Sequence, residues 1–319
     1  MKAVIPKQER DNAKKALEAR DKVPPSRKAG TAVGFAWTTN IIISLVVFLL
    51  SISYASFLSN EATLLSLICL CFLIQWTMFI PAWLYNTEKF YDLTGSLTYI
   101  SVSLLAFYFG AMGTGMSIYK FIILASILFW AMRLGYFLFS RVHKDNGDKR
   151  FDSIKKQPTQ FFMTWTLQGM WVSLCAMPAF IALNSEAAAV SNIFYIGMFI
   201  FIFGFCTEVV SDSQKSKFRA LPENKDRFIT SGLWAYSRHP NYFGEIMLWL
   251  GISVMSLDFL VGNEIYAAIS SPVFTFILLN YVSGVRLLEL RGNKKWGHEE
   301  AYKEYVKKTP KLFPFLKIN

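Results

Sequence analysis

Long apolar stretches alternate with short polar ones along almost the whole chain. Eight stretches approach or exceed the roughly 20 residues that an α-helix needs to cross about 30 Å of hydrocarbon. They fall at 35–58, 62–85, 93–112, 117–140, 161–183, 187–210, 242–260 and 265–285. So many runs of this length predict membrane spans rather than the buried helices of a soluble core. The seventh opens on polar residues, so the count reads as seven to eight. The expected fold class is all-α, a polytopic integral membrane helical bundle. Residues 1–34 are polar and basic, contain Pro24-Pro25 and lack an apolar leader, so no cleavable signal peptide is expected. They read as a basic cytosolic tail, with a weak amphipathic helix as one option over 7–21, ahead of one membrane-embedded domain at 35–319.

Charge orients this bundle. The chain carries 33 Lys+Arg against 22 Asp+Glu, a formal net charge of +11. Basic residues outnumber acidic ones in 1–34, 141–160, 211–238 and 286–319, whereas the connections near Asn60, Gly113, Ser185 and Asn263 are nearly free of Lys and Arg. Eight spans place all four basic segments on one side, which the positive-inside rule makes the cytosol, so both termini are expected there. The excess charge suits anionic lipid heads or a polyanionic cofactor. With no soluble basic domain to bind it, nucleic acid is not an expected partner. Cys69, Cys71, Cys175 and Cys206 lie inside predicted spans without a Cys-x-x-Cys pair, and His143, His239 and His298 are scattered, so no metal site is expected. Gly110-Ala111-Met112-Gly113-Thr114-Gly115 is not a dinucleotide fingerprint, follows no strand and reads as a turn.

Polar residues at membrane depth are costly and mark function or ion pairing. On the fourth span Trp130, Arg133, Phe137 and Arg141 share a face; Arg141 can snorkel to the interface, while Arg133 needs a partner. Asp92, after Tyr91, enters the third span either as a helix cap or as an acid facing substrate. Glu208 and Asp212 are four apart and stack on one face, with Arg219 two turns on; acids deep and cations shallow suit a nucleotide, and so does a capped helix end with flanking cations. The segment Leu233-Trp234-Ala235-Tyr236-Ser237-Arg238-His239-Pro240-Asn241-Tyr242-Phe243-Gly244-Glu245 opens the seventh span. Pro240 fits the first turn of a helix, whose free N–H groups can receive an anion, with Tyr236, Arg238 and His239 adding hydrogen bonds. Asn241, Glu245 and Trp249 are spaced by four and line one face. In the tail, Trp296, Tyr302 and Tyr305 alternate with charges, as in a helix lying on the interface.

The segment from Leu233 to Glu245 resembles the C-terminal signature of the steroid 5-alpha-reductase family, in its DUF1295 branch. Tyr91-Asp92, Arg133-Leu134, Arg141, Gly147-Asp148-Lys149-Arg150-Phe151, Gln168, Pro178, Ser211-Asp212 and the stretch from Tyr302 to Pro314 extend the resemblance over about 79–315. It implies a polytopic enzyme that binds NADPH from the cytosolic side and reduces an activated C=C bond in a 3-oxo-delta-4 steroid, sterol or enoyl lipid. Carried over by position, cofactor contacts fall on Asp212, Arg219, Arg227, Asn241, Glu245, His298 and Tyr302, and Arg133 matches a family arginine. Glu208 stands where the family's steroid reductases carry Asn, and their carbonyl-holding Gln-Glu pair has no identical counterpart.

The expected site follows. Asp92, with Tyr91 and Trp130 beside it, meets the substrate carbonyl. Glu245, Asp212 and Glu208 hold the nicotinamide amide and ribose, and Arg133 pairs with Glu245. Arg219, Arg227 and His298 take the phosphates, and Arg141, Tyr236, Arg238, His239, Asn241, Trp249 and Tyr302 complete the cofactor set. Membrane lipids surround the bundle, in the endoplasmic reticulum or a bacterial inner membrane. An S-adenosylmethionine-dependent methyltransferase of the isoprenylcysteine carboxyl or phospholipid N-methyltransferase type shares the Arg-His-Pro piece and is the alternative. A transporter or lipid-binding scaffold is a further one.

Overall fold

A computed structural model describes residues 27–186 and 189–314. Among them eight segments are long and apolar enough to cross a membrane, and helices account for all the regular structure, as the hydropathy pattern predicts. The spans are α1 (Arg27–Leu58), α2 (Ala62–Leu84), α3 (Tyr91–Gly113), α4 (Ile118–Lys144), then, after the single turn α5 (Phe151–Ile154), α6 (Pro158–Asn184), α7 (Asn192–Ala220) and α8 (Pro240–Ser256). α9 (Ile265–Ile277) continues through a π turn, Leu278–Val282, into α10 (Val285–Trp296), and α11 (Glu300–Lys308) follows. The helix considered over 7–21 lies outside the described residues.

Local chemistry sets the helix ends. Ser117 and Ser191 cap α4 and α7, their hydroxyls accepting from the Tyr119 and Ile193 N–H groups. Pro158 and Pro240 occupy first-turn positions, where a missing N–H costs nothing. Asn86 (φ 48°), Asn146 (φ 56°) and Gly147 (φ 128°) turn the chain after α2 and α4. α6 is the central rod, packed against α1, α2, α3, α8 and α9, with Trp165, Val172, Cys175, Met177 and Phe180 almost fully buried.

Two boundaries differ from expectation. α7 runs to Ala220, ten residues beyond the apolar stretch, because its polar end is held by contacts described below. Residues 286–296, expected in the tail, are helical as α10. At the end opposite the basic connections, the turn at Gly115 (φ 84°) is closed by Lys120. This lysine is only 2% exposed, and its Nζ donates to Thr114 Oγ1 (2.6 Å) and Gly115 O (3.2 Å).

Candidate active site

α7 and α8 meet backbone to backbone. Gly197 and Gly204 on α7 face Gly244 and Gly251 on α8. A Cβ on Gly204 would lie 2.6 Å from Gly244 O, one on Gly244 2.6 Å from Glu208 N, and one on Gly251 2.7 Å from Gly197 O. Small residues at such a seam let helices associate in lipid, where no hydrophobic force drives them together. The matched seven-residue glycine spacing on both helices is the sequence signal of the seam. Its consequence is that Glu208 and Glu245 come within electrostatic reach of each other.

Arg133 on α4 meets the α7 acids from the side. Its guanidinium donates to Glu208 Oε1 (2.6 Å) and to Asp212 Oδ2 (2.7 Å) and lies over the Phe137 ring, 5.1 Å from its centre. Two carboxylates stacked four residues apart present what a forked guanidinium matches best. Arg133 therefore pairs with α7, not with Glu245 as expected. Trp130 Nε1 donates to Glu208 Oε2 (3.2 Å), so this indole serves Glu208 rather than Asp92. Glu245 is 7% exposed and its Oε1 has no partner; Asn241 Oδ1 and Trp249 Nε1 are buried without partners as well. Trp249 and Trp130 pack edge to face at 4.9 Å, and both pack on Tyr99 of α3, at 5.3 and 5.0 Å. Tyr99 is absent from the sequence-based set, although it lies two turns beyond Asp92. It sits within electrostatic reach of Glu245, while its hydroxyl meets the Cys175 thiol and, at 3.5 Å, Trp171 O.

Nearer the basic end, Asp92 in the first turn of α3 lies 3.9 Å from the Arg150 guanidinium. Asp148 holds Arg150 at 2.5 and 2.7 Å, and Glu88 accepts from Asp148 N (2.9 Å) and Lys155 Nζ (2.7 Å). Burial works against both carboxylates, yet Arg150 holds Asp148, and Lys155 with the Asp148 N–H holds Glu88, below the usual carboxylate range. Burial opposes the charge of Arg150 too, but Asp148 and Asp92 outweigh it and push its pKa up. Tyr91 donates its hydroxyl to Thr164 O (3.0 Å), with its ring between Phe151 and Trp165. It anchors the start of α3 and has no donor left for a substrate. Arg141, Lys215 and Arg219 act on one another as like charges, and Lys215 lies 4.4 Å over the Trp234 ring. Among the described residues neither Arg141 nor Arg219 forms an ion pair.

Arg238 and His239 are drawn elsewhere. Arg238 Nη1 and His239 Nε2 meet the two oxygens of Glu289 on α10, at 2.6 and 2.7 Å. Burial holds the His239 imidazole below its ordinary value, against the pull of Glu289. These two residues tie the start of α8 to α10, where an anion-binding role was expected. The same segment is stapled to the polar end of α7 by Trp234 Nε1 to Ser211 O (3.1 Å) and Leu233 N to Gln214 Oε1 (3.0 Å), and to the C-terminal stretch by Tyr305 Oη to Trp234 O (2.7 Å) and Ser237 Oγ to Leu312 O (2.7 Å). Tyr302 is buried against Phe228 and Trp296, while Arg227, Tyr236 and His298 are exposed.

The family profile described as "Protein of unknown function (DUF1295)" matches residues 78–309. A curated protein, steroid 5-alpha-reductase DET2 of Arabidopsis thaliana, is 28% identical over 125 residues, which cover 39% of this chain and 42% of that protein. The chain thus matches less than half the length of that relative. No solved structure matches the chain.

Proposed function

The chain belongs to the steroid 5-alpha-reductase family, in its DUF1295 branch, and on that footing we propose that it is an NADPH-dependent membrane reductase acting on an activated C=C bond. The observation that carries this reading is the group of half-buried Arg133 with buried Glu208, Asp212 and Glu245, gathered from three spanning helices toward the basic end. A dinucleotide fits the donor set. Unpartnered buried atoms on Glu245, Asn241 and Trp249 need complementary amide or hydroxyl groups. The cations Arg141 and Arg219, outside any ion pair among the described residues, with Lys215 beside them, suit phosphates. Glu245 and Asn241 would hold the carboxamide, Asp212 a ribose hydroxyl, and Arg141, Lys215, Arg219 and Arg227 the phosphates. By the positive-inside rule this end faces the cytosol.

When bound, NADPH supplies a hydride to the β carbon of an enone or enoyl group. Negative charge then develops on the substrate carbonyl oxygen. A preorganised donor at that oxygen is worth about 3–4 kcal/mol. Tyr99 is better placed for this than Asp92, because its ring packs on Trp130 and Trp249 within electrostatic reach of Glu245, while Asp92 is turned to Arg150 at the rim. The apolar helices exclude water and admit a flat hydrophobic substrate such as a 3-oxo-delta-4 steroid, sterol or enoyl lipid from the bilayer. Neither the fold nor the relatives favour the methyltransferase alternative.

The test is binding of reduced nicotinamide to the purified chain, followed by its fluorescence, and then NADPH oxidation across a panel of enones. Arg219→Ala and Glu245→Gln are expected to weaken NADPH by about tenfold or more, and Tyr99→Phe to lower turnover at unchanged NADPH affinity. Binding of S-adenosylmethionine in place of NADPH, or normal NADPH affinity in both binding variants, would refute the reading.

A further inference from the structure

The buried acids outnumber the cation that touches them. Glu208 is 3% exposed, Asp212 and Glu245 7% each, and Glu245 feels the charge of both others. Arg133 engages Glu208 and Asp212 directly; Lys215 and Arg141 act on Asp212 from further away, and Trp130 brings Glu208 a neutral N–H. Glu245 Oε1 is left without a partner, and so is the indole N–H of Trp249, whose ring packs on Trp130. The acids cannot move apart cheaply, because the Gly204–Gly244 seam holds the two backbones in contact. A buried surplus of acid is relieved either by protons or by a positive group from outside the chain.

The two redox states of a nicotinamide differ in that respect: the oxidised ring is a cation and the reduced ring is neutral. Resting on the nicotinamide reading above, we propose that Glu208, beside Glu245, is the counter-charge of the oxidised ring and makes the pocket favour the oxidised over the reduced cofactor. Glu208 suits this role because Trp130 and Arg133 fix both its oxygens at the seam. Tighter binding of the oxidised form makes the bound reduced form a stronger hydride donor. Each tenfold preference corresponds to about 30 mV for a two-electron couple.

The experiment measures dissociation constants for NADP+ and NADPH separately, by calorimetry on the full chain in lipid nanodiscs. Wild type, Glu208→Gln, Glu208→Asn and Glu208→Asp are compared. Both neutral variants are expected to weaken NADP+ about tenfold, the effect of one nearby charge in a partly buried site, while NADPH changes less than about twofold. Glu208→Asp keeps the charge and should keep the preference. Should Glu208→Gln fail to fold, Glu208→Asn, which retains an oxygen for Arg133, decides the matter, and Glu208→Asp against wild type supplies the charged control. A wild-type chain that binds neither nucleotide overturns this inference together with the reductase reading. Binding of both, with a ratio that neutralising Glu208 leaves unmoved, overturns the counter-charge role alone.

Discussion

Replacing Gly244 by alanine adds one methyl group at the point where the proposed site is assembled. The new Cβ would lie 2.6 Å from Glu208 N and 2.7 Å from Gly204 O. Ordinary contact begins near 3.4 Å, so the seam must open by about 0.8 Å, the difference of those two distances. Both obstacles are backbone atoms, and no side chain can swing aside to relieve them. Alanine's better helix propensity returns at most about 1 kcal/mol, whereas overpacking costs about 1–3 kcal/mol. The expected net effect is a loss of about 1 kcal/mol of stability. The functional loss should be larger, because a misplacement near 1 Å between groups that act together costs up to about a hundredfold in rate. Thermal unfolding in nanodiscs, NADPH titration and the rate of NADPH oxidation measure these effects. Gly113→Ala is the control, since its Cβ meets nothing within 4 Å. A Gly244→Ala protein that melts and binds NADPH like wild type would show that the close approach of α7 and α8 does not set the site.

Two further outcomes test its supports. Arg133→Ala leaves Glu208 and Asp212 as buried carboxylates without their shared cation and should cost about 3–5 kcal/mol; adding Glu208→Gln and Asp212→Asn to it should restore much of that, and an unchanged melting temperature in Arg133→Ala would contradict the clamp. Lys155 and the Asp148 N–H hold Glu88 below its ordinary range despite burial, so this carboxylate stabilises the fold above about pH 4.3 and the contribution disappears as pH falls through the lower folded value. Glu88→Gln should cost about 1.5 kcal/mol at neutral pH and flatten the acid limb of a melting-temperature profile, whereas a parallel profile would disprove the assignment.

Length and periodicity made the membrane architecture legible: eight apolar runs exceed what a soluble domain carries, and spanning helices are the outcome lipid permits. Spacing within single helices also read correctly. Glu208 and Asp212, four apart, do share a face, and one guanidinium takes both. Pairings between helices were not legible. Arg133 was expected on Glu245, and Arg238 and His239 on an anion, because each is an unmatched charge when its own segment is read alone. The partners, Glu208 with Asp212 and Glu289, lie 75 or more and about 50 residues away. Tyr91 carried a hydroxyl in the expected place, and the fold uses it on Thr164 O.

What the amino-acid order determined alone is therefore whatever depends on neighbours within one or two helical turns: the spans, the proline start of α8, the basic side of the bundle and the faces on which polar residues gather. Tertiary structure decided which faces meet. Gly204 against Gly244 is the clearest case, since it takes two bare backbones on different helices to bring Glu208 beside Glu245, and neither stretch by itself encodes the distance between them. Charges in a low-dielectric interior go to the partner that geometry brings within hydrogen-bond reach, and that geometry exists only once the helices have packed.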